Sequence, residues 1–170
     1  MKNNIDGVLV VEGSSDACFL FSIVNALIFV TNGYDLSEDK ITFLKEVSKI
    51  NKIIVLTDPD EAGENIRNKL KEKISGICCV NIKKESRKHY KKTGIAESKI
   101  ENVLEALSPY FTNEEINNTN YDLSTLISLS DNPKETKNKI IKKYKLINGN
   151  NKFIENQLRM LKINKEDLWK

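Results

Sequence analysis

The chain has 170 residues, 39% of them apolar, and a net charge of +3. That length holds one ordinary domain or a domain with a small appendage, and the apolar fraction suffices for a packed core. The longest apolar stretch, residues 17–30, is broken by Ser22 and Asn25 and falls short of a membrane span, and the opening Met1-Lys2-Asn3-Asn4-Ile5-Asp6 lacks a signal-peptide core, so a soluble cytoplasmic protein with no membrane role is expected.

Taken in chain order, Gly7-Val8-Leu9-Val10-Val11 reads as a strand over 7–12 that runs into Glu12-Gly13 and then Ser14-Ser15-Asp16. A helix follows from about Ser15 to Ala26, with Cys18, Phe19, Phe21, Ile23 and Leu27 supplying its apolar faces, and then a strand over 28–32. Asn32-Gly33 marks a turn. Leu36-Ser37-Glu38-Asp39 opens a helix through Ile50, with Ile41, Leu44, Val47 and Ile50 along one face. The apolar run Ile53-Ile54-Val55-Leu56 makes a strand over 52–57 that stops at Asp58-Pro59-Asp60. A helix over 61–73, a strand over 77–82 and a helix over 98–107 complete an alternation that implies an α/β fold with a mainly parallel sheet.

Beyond Pro109 the pattern changes. Residues 113–120 are polar and rich in asparagine, and helices are expected over 123–129, 137–144, 152–161 and 165–169. They would form a small bundle with Leu126, Ile127, Ile140, Ile141, Leu158 and Leu161 inside, turning at Asn148-Gly149-Asn150. The expected division is a catalytic domain over 1–109, a linker over 110–121 and a helical domain over 122–170.

Two strands that each end on acids point to chemistry, because ligands of parallel sheets gather at the strands' C-terminal edge. If the strands are parallel neighbours, Glu12, Asp58 and Asp60 meet on one rim and present hard oxygen ligands of the kind magnesium takes together with a substrate phosphate. Gly13 would let the backbone approach that phosphate closely.

The modest net charge conceals a division. Residues 83–92 carry six bases against one acid, and residues 134–170 carry eleven against four, so these segments together sum to +12 and the remainder to −9. An acidic body flanked by a basic loop and a basic tail suits a polyanion, although either segment alone also fits a solvated lysine-rich surface. Cys18, Cys78 and Cys79 have no zinc spacing and are expected to be buried, reduced thiols.

The strand ending Val11-Glu12-Gly13, paired with Thr57-Asp58-Pro59-Asp60 and the following Gly63-Glu64, Ile66 and Arg67, resembles a Toprim domain. Adding Thr31-Asn32-Gly33, Gly94 before the helix at 101–107, and the basic tail around Gly149-Asn150-Asn151-Lys152, nearly the whole chain is similar to the ribonuclease M-five family, which matures 5S ribosomal RNA. The resemblance implies a Toprim (Rossmann-like) fold with a small helical basic domain. It also implies a magnesium-dependent endoribonuclease that cuts both strands of precursor 5S ribosomal RNA shaped by a bound ribosomal protein.

By that resemblance Asp58 and Asp60 hold magnesium, and Glu12 shares the metal or acts as general acid or base. Glu64 is either an outer ligand or a solvent-facing acid, and Asp16 equally fits a helix-start residue. Lys83, Lys84, Arg87, Lys88, Lys91 and Lys92 on the basic loop would guide phosphates, with Lys142, Lys143, Lys152 and Arg159 as a second footing on the tail. The chain departs from the family at Ser14, where a lysine is usual, at Gly94-Ile95-Ala96-Glu97, where Gly-Val-Glu is usual, and around Ser130-Asp131-Asn132, where glycines are usual. The alternatives are a non-catalytic RNA-binding protein of ribosome assembly and a Toprim nuclease acting on DNA.

Overall fold

The computed structural model describes residues 2–33, 36–82, 94–116 and 122–168. The chain forms β1 (Asn3–Val11), α1 (Ser14–Ile23), β2 (Val24–Val30), α2 (Glu38–Ser48), β3 (Ile53–Val55), α3 (Glu61–Lys73), β4 (Cys78–Cys79), α4 (Ile100–Leu107) and β5 (Phe111–Thr112). It closes with α5 (Leu123–Ser128), α6 (Pro133–Tyr144) and α7 (Asn151–Met160). The strands lie in the order β2-β1-β3-β4 and pair in parallel, while β5 runs antiparallel to the start of β1. β5 falls inside the stretch read as a linker.

The sheet is covered on both faces, and the two-residue period of the strands divides its core. Val8, Val10, Ile53 and Val55 pack with Ile41, Leu44 and Val47 of α2 and with Ile66 and Leu70 of α3. Leu9, Val11, Ile54 and Leu56 face the other way, onto Ala17 and Leu20 of α1 and Val103 and Leu107 of α4. The C-terminal helices join the first layer, where Leu123, Ile127, Ile140, Ile154, Leu158 and Met160 continue the same core as Val8 and Phe29. Polar bonds bind the layers further: Asn156 donates to the Ile28 carbonyl at 3.2 Å, Asn51 donates to the Met160 carbonyl at 2.6 Å, and Lys145 pairs with Glu46 at 2.9 Å. Of the six residues expected inside the bundle, Ile127, Ile140 and Leu158 are buried, and Leu126, Ile141 and Leu161 are partly buried.

Several expectations give way to tertiary packing. The first helix ends at Ile23, and β2 begins at once because Asn3 and Asn4 pair with Val24 and Asn25. The buried face of α1 is Asp16, Ala17 and Leu20, leaving Phe21 half exposed. Cys18 is exposed and Cys78 and Cys79 are partly buried; all three are free thiols. Cys18 follows Ala17 directly, so the helical turn carries it away from the sheet while Ala17 faces inward. The second helix ends at Ser48, and Ile50 lies exposed beyond it. Among the described residues no helix is long and apolar enough to cross a membrane.

Candidate active site

The register of β1 against β3 sets Val8, Leu9 and Val10 opposite Ile53, Ile54 and Val55, and the Leu56 amide continues the ladder by donating to the Val10 carbonyl at 2.9 Å. Both strands leave the sheet along the same edge, so Glu12 and the Asp58-Pro59-Asp60 loop emerge side by side. Their proximity is felt electrically. Burial, Asp60, Asp58 and Asp16, in that order, raise the Glu12 carboxyl above its ordinary pKa. Burial also raises Asp58, where Asp16, Asp60 and Glu97 add to the effect against the hydrogen bond from Ile95.

Each acid is set by local structure. The Glu12 backbone is fixed from β2's end, where the amides of Asn32 and Gly33 and the Thr31 hydroxyl donate to its carbonyl at 3.0, 3.4 and 3.4 Å. Its carboxylate accepts no hydrogen bond among the described residues. Asp60 caps α3, accepting the Gly63 amide at 2.9 Å. This is the arrangement expected where a loop with an aspartate enters a helix. Asp58 accepts the Ile95 amide at 2.7 Å, and Gly94 lies so close that a Cβ there would meet Asp58 Oδ2 at 2.9 Å. Asp16 accepts the Gly13 amide at 3.2 Å and is buried. It therefore does start the helix, and it also stands close enough to act on Glu12 and Asp58.

The turn at Gly94-Ile95-Ala96-Glu97 clamps the site from the far side. Ile95 and Ala96 offer their amides to Asp58 and Asp16, and Glu97 accepts the Gly94 amide at 2.9 Å. Glu97 thus lies beside the rim, where it raises both Asp16 and Asp58. Glu64 is exposed in the first turn of α3.

Sequence spacing did not reveal how the loop is anchored. Thr57 is buried, and its hydroxyl donates to the Gly63 carbonyl at 3.1 Å, while Arg67 donates to the Thr57 hydroxyl at 2.6 Å. A Cβ at Gly63 would collide with the Asp58 carbonyl oxygen. Thr57, Gly63 and Arg67 all lie in the quoted motif, and the signal available was their regular offset from the two aspartates.

The rim brings Glu12, Asp16, Asp58, Asp60 and Glu97 into one neighbourhood, although among the described residues no three acidic, histidine or cysteine side chains already form a cage for a metal ion. The donor chemistry nonetheless fits a hard dication: these are carboxylate oxygens, and burial together with crowding by like charges pushes Glu12 and Asp58 toward protonation. The N-termini of α1 and α3 add their positive dipole ends at the same edge.

Of the expected RNA contacts, Lys83, Lys84, Arg87, Lys88, Lys91 and Lys92 lie outside the described residues. Lys142 is exposed near the end of α6, and Lys143 donates to the Asp167 carbonyl at 3.0 Å and sits 4.9 Å over the Tyr144 ring. Lys152 is exposed in the first turn of α7 and Arg159 partly buried in its last. These two line a groove between α7 and β2, whose lining also includes Asn32 next to the Glu12 end of the sheet.

Comparison with known proteins agrees with this geometry. Residues 7–92 match the Toprim domain family. The chain is 30% identical over 167 residues to Ribonuclease M5 of Mycoplasma genitalium, covering 98% of this chain and 94% of that one. It is 37% identical over 109 residues to Ribonuclease M5 of Mesoplasma florum, covering 62% of each. A solved small Toprim domain protein from Bacillus stearothermophilus shares the fold at a TM-score of 0.53 and 24% identity, over 63% of this chain and 90% of that one. The chain belongs to the Toprim family and, within it, to the ribonuclease M5 family of nucleases.

Proposed function

We propose that this chain is a magnesium-dependent endoribonuclease of the cytoplasm that cuts double-stranded precursor RNA to release mature 5S ribosomal RNA, acting on RNA held in shape by a ribosomal protein. The observation that carries the reading is the convergence of Glu12, Asp58 and Asp60 at one sheet edge, in a chain related along nearly its whole length to a protein named Ribonuclease M5. Asp58 and Asp60 are the metal ligands, and Glu12 either shares the metal or acts as general acid or base. A bound dication supplies charge neutralisation at the scissile phosphate and a water of lowered pKa.

The chain's own groups do the rest. Among the described residues the Glu12 carboxylate accepts no hydrogen bond, and burial and the neighbouring acids raise its pKa, so off the metal its carboxyl is suited to take and return a proton near the phosphate. The Gly94–Glu97 turn keeps Asp58 and Asp16 oriented, and the starts of α1 and α3 aim amide dipoles at the same edge. Residues 122–170 serve as the RNA-binding domain. Lys142, Lys143, Lys152 and Arg159 meet backbone phosphates there, and Lys83, Lys84, Arg87, Lys88, Lys91 and Lys92 of the basic segment at 83–92 do so as well. Duplex RNA offers its backbone and 2′-hydroxyls rather than its base edges, which suits a lysine-rich surface.

The test uses purified protein, precursor 5S ribosomal RNA and magnesium, with and without the ribosomal protein that binds this RNA. Asp58→Asn and Asp60→Asn are the informative variants, since asparagine can still accept the amides of Ile95 and Gly63 while losing the charge. Cleavage at defined positions on both strands, lost by at least about 100-fold in each variant at unchanged RNA affinity, is the expected result. RNA binding without cleavage at any magnesium concentration would leave a non-catalytic RNA-binding protein instead.

A further inference from the structure

Arg67 lies seven residues past the cap Asp60, two turns into α3, and its guanidinium reaches back to the helix's start. Its Nη1 donates to the Thr57 hydroxyl at 2.6 Å, to the Asp58 carbonyl at 3.2 Å and to the Thr57 carbonyl at 3.4 Å. The Thr57 hydroxyl passes its own hydrogen to the Gly63 carbonyl at 3.1 Å, so the chain of bonds begins on α3, crosses the loop and returns to α3. Gly63 in turn lies against the Asp58 carbonyl, with no room for a Cβ.

These contacts sit where the sheet stops helping. The paired part of β3 ends at Val55, with the ladder extended by the Leu56 amide, and the Thr57 and Asp58 carbonyls lie past it. Thr57 is 4% exposed, and a carbonyl left without a donor at such depth is destabilising by about 1–3 kcal/mol. A long side chain reaching down from the helix answers that need. Arg67 acts on the peptide planes, since the acceptors of its hydrogen bonds are two peptide carbonyls and a hydroxyl and not a carboxylate.

We propose that Arg67 is a positioning residue, which holds the peptides of Thr57 and Asp58 so that the Asp58 and Asp60 carboxylates stand at a fixed separation for a divalent cation. The inference rests on the reading of these acids as metal ligands, and its test is separable from RNA cleavage. Full-length wild type, Arg67→Met and Arg67→Lys would be titrated with magnesium and followed by thermal shift, and their kcat and KM for precursor RNA measured alongside.

The expected result is that Arg67→Met needs about 10- to 100-fold more magnesium for half-maximal stabilisation, as for other partners that orient metal ligands. Its kcat falls while KM for RNA holds. Arg67→Lys, which keeps one nitrogen near the same acceptors, recovers part of both losses. Thr57→Val with Arg67→Met is no worse than Arg67→Met alone, because both act through one loop. An unchanged magnesium midpoint with a lower melting temperature would reduce Arg67 to a structural role and overturn the proposal. A raised KM at an unchanged midpoint would overturn it in favour of a phosphate contact, and a wild type that shows no magnesium-dependent shift would overturn it outright. Should Arg67→Met fail to fold, the midpoint of Arg67→Lys decides in the same way. A wild type that binds magnesium but cuts no RNA would sink the nuclease reading while leaving Arg67 to be judged on the midpoint.

Discussion

Among the described residues Glu12 is the rim carboxylate that no hydrogen bond relieves, and it is partly buried and faces Asp60, Asp58 and Asp16. Folding raises its pKa above 4.5, and those of Asp16 and Asp58 above 3.8. A carboxyl that holds its proton more tightly when folded contributes stability fully below the unfolded pKa, and that contribution is lost as pH rises through the folded value. At neutral pH the metal-free rim therefore opposes folding. Glu12→Gln removes a charge that is partly buried and repelled by its neighbours, so its metal-free melting temperature at pH 7 is expected to exceed that of wild type. The gain stays within about 2–4 °C, because Glu12 is partly solvated. The gap should close below about pH 4, and magnesium should stabilise wild type more than the variant. Thermal melts across pH with and without magnesium check this; the same gap at pH 7 and at acid pH would remove charge repulsion as its cause. The placement of Glu12, Asp58 and Asp60 at one sheet edge was legible in the sequence because each ends or follows an apolar strand run. Arg67 stands in the same motif, but its bonds to the Thr57 and Asp58 peptides were not legible, since a side chain that bonds backward to peptide carbonyls leaves no periodic trace.

Elements differ in how plainly they could be read. The bounds of α3, residues 61–73, were legible because Asp60 caps it, Glu61 and Glu64 complement its start, and Lys71 and Lys73 its end. The junction of α1 and β2 was not, because Val24–Val30 is apolar and short enough to suit either element, and only pairing with β1 decides it. A two-residue strand such as β5 has no local signal either. Within α3, Gly63 tests what the helix is for. On propensity alone Gly63→Ala should stabilise the chain by up to about 1 kcal/mol. The methyl group instead meets the Asp58 carbonyl and crowds the Thr57 side chain, whose Oγ1 lies 2.9 Å from it. We expect a net loss of about 1–3 kcal/mol by urea unfolding, with cleavage falling further than stability explains because the Asp58-Pro59-Asp60 loop is displaced. A stabilised, fully active Gly63→Ala would show that the loop tolerates a shift and that its close packing on α3 is incidental.

Across the whole molecule, the tail helices are basic on their exposed side and apolar toward the sheet, where they help cover the face that also receives α2 and α3. Their composition announced helices, yet the helical period alone could not say that Ile154, Leu158 and Met160 would share a core with Val8, Val10 and Phe29. That sharing couples the proposed RNA-binding surface and the acidic sheet edge mechanically, since α7, which bears Lys152, packs on β2, the neighbour of the strand that leads to Glu12. Leu158 is fully buried in the shared layer. Leu158→Ala should cost about 2–5 kcal/mol. If sheet and tail unfold as one unit, urea denaturation keeps a single transition, and the amides of Val8 and Val10 in β1 lose hydrogen-exchange protection by the same free energy as the helical amides of α7. A tail that unfolds by itself would give two transitions and leave β1 protection at its wild-type level.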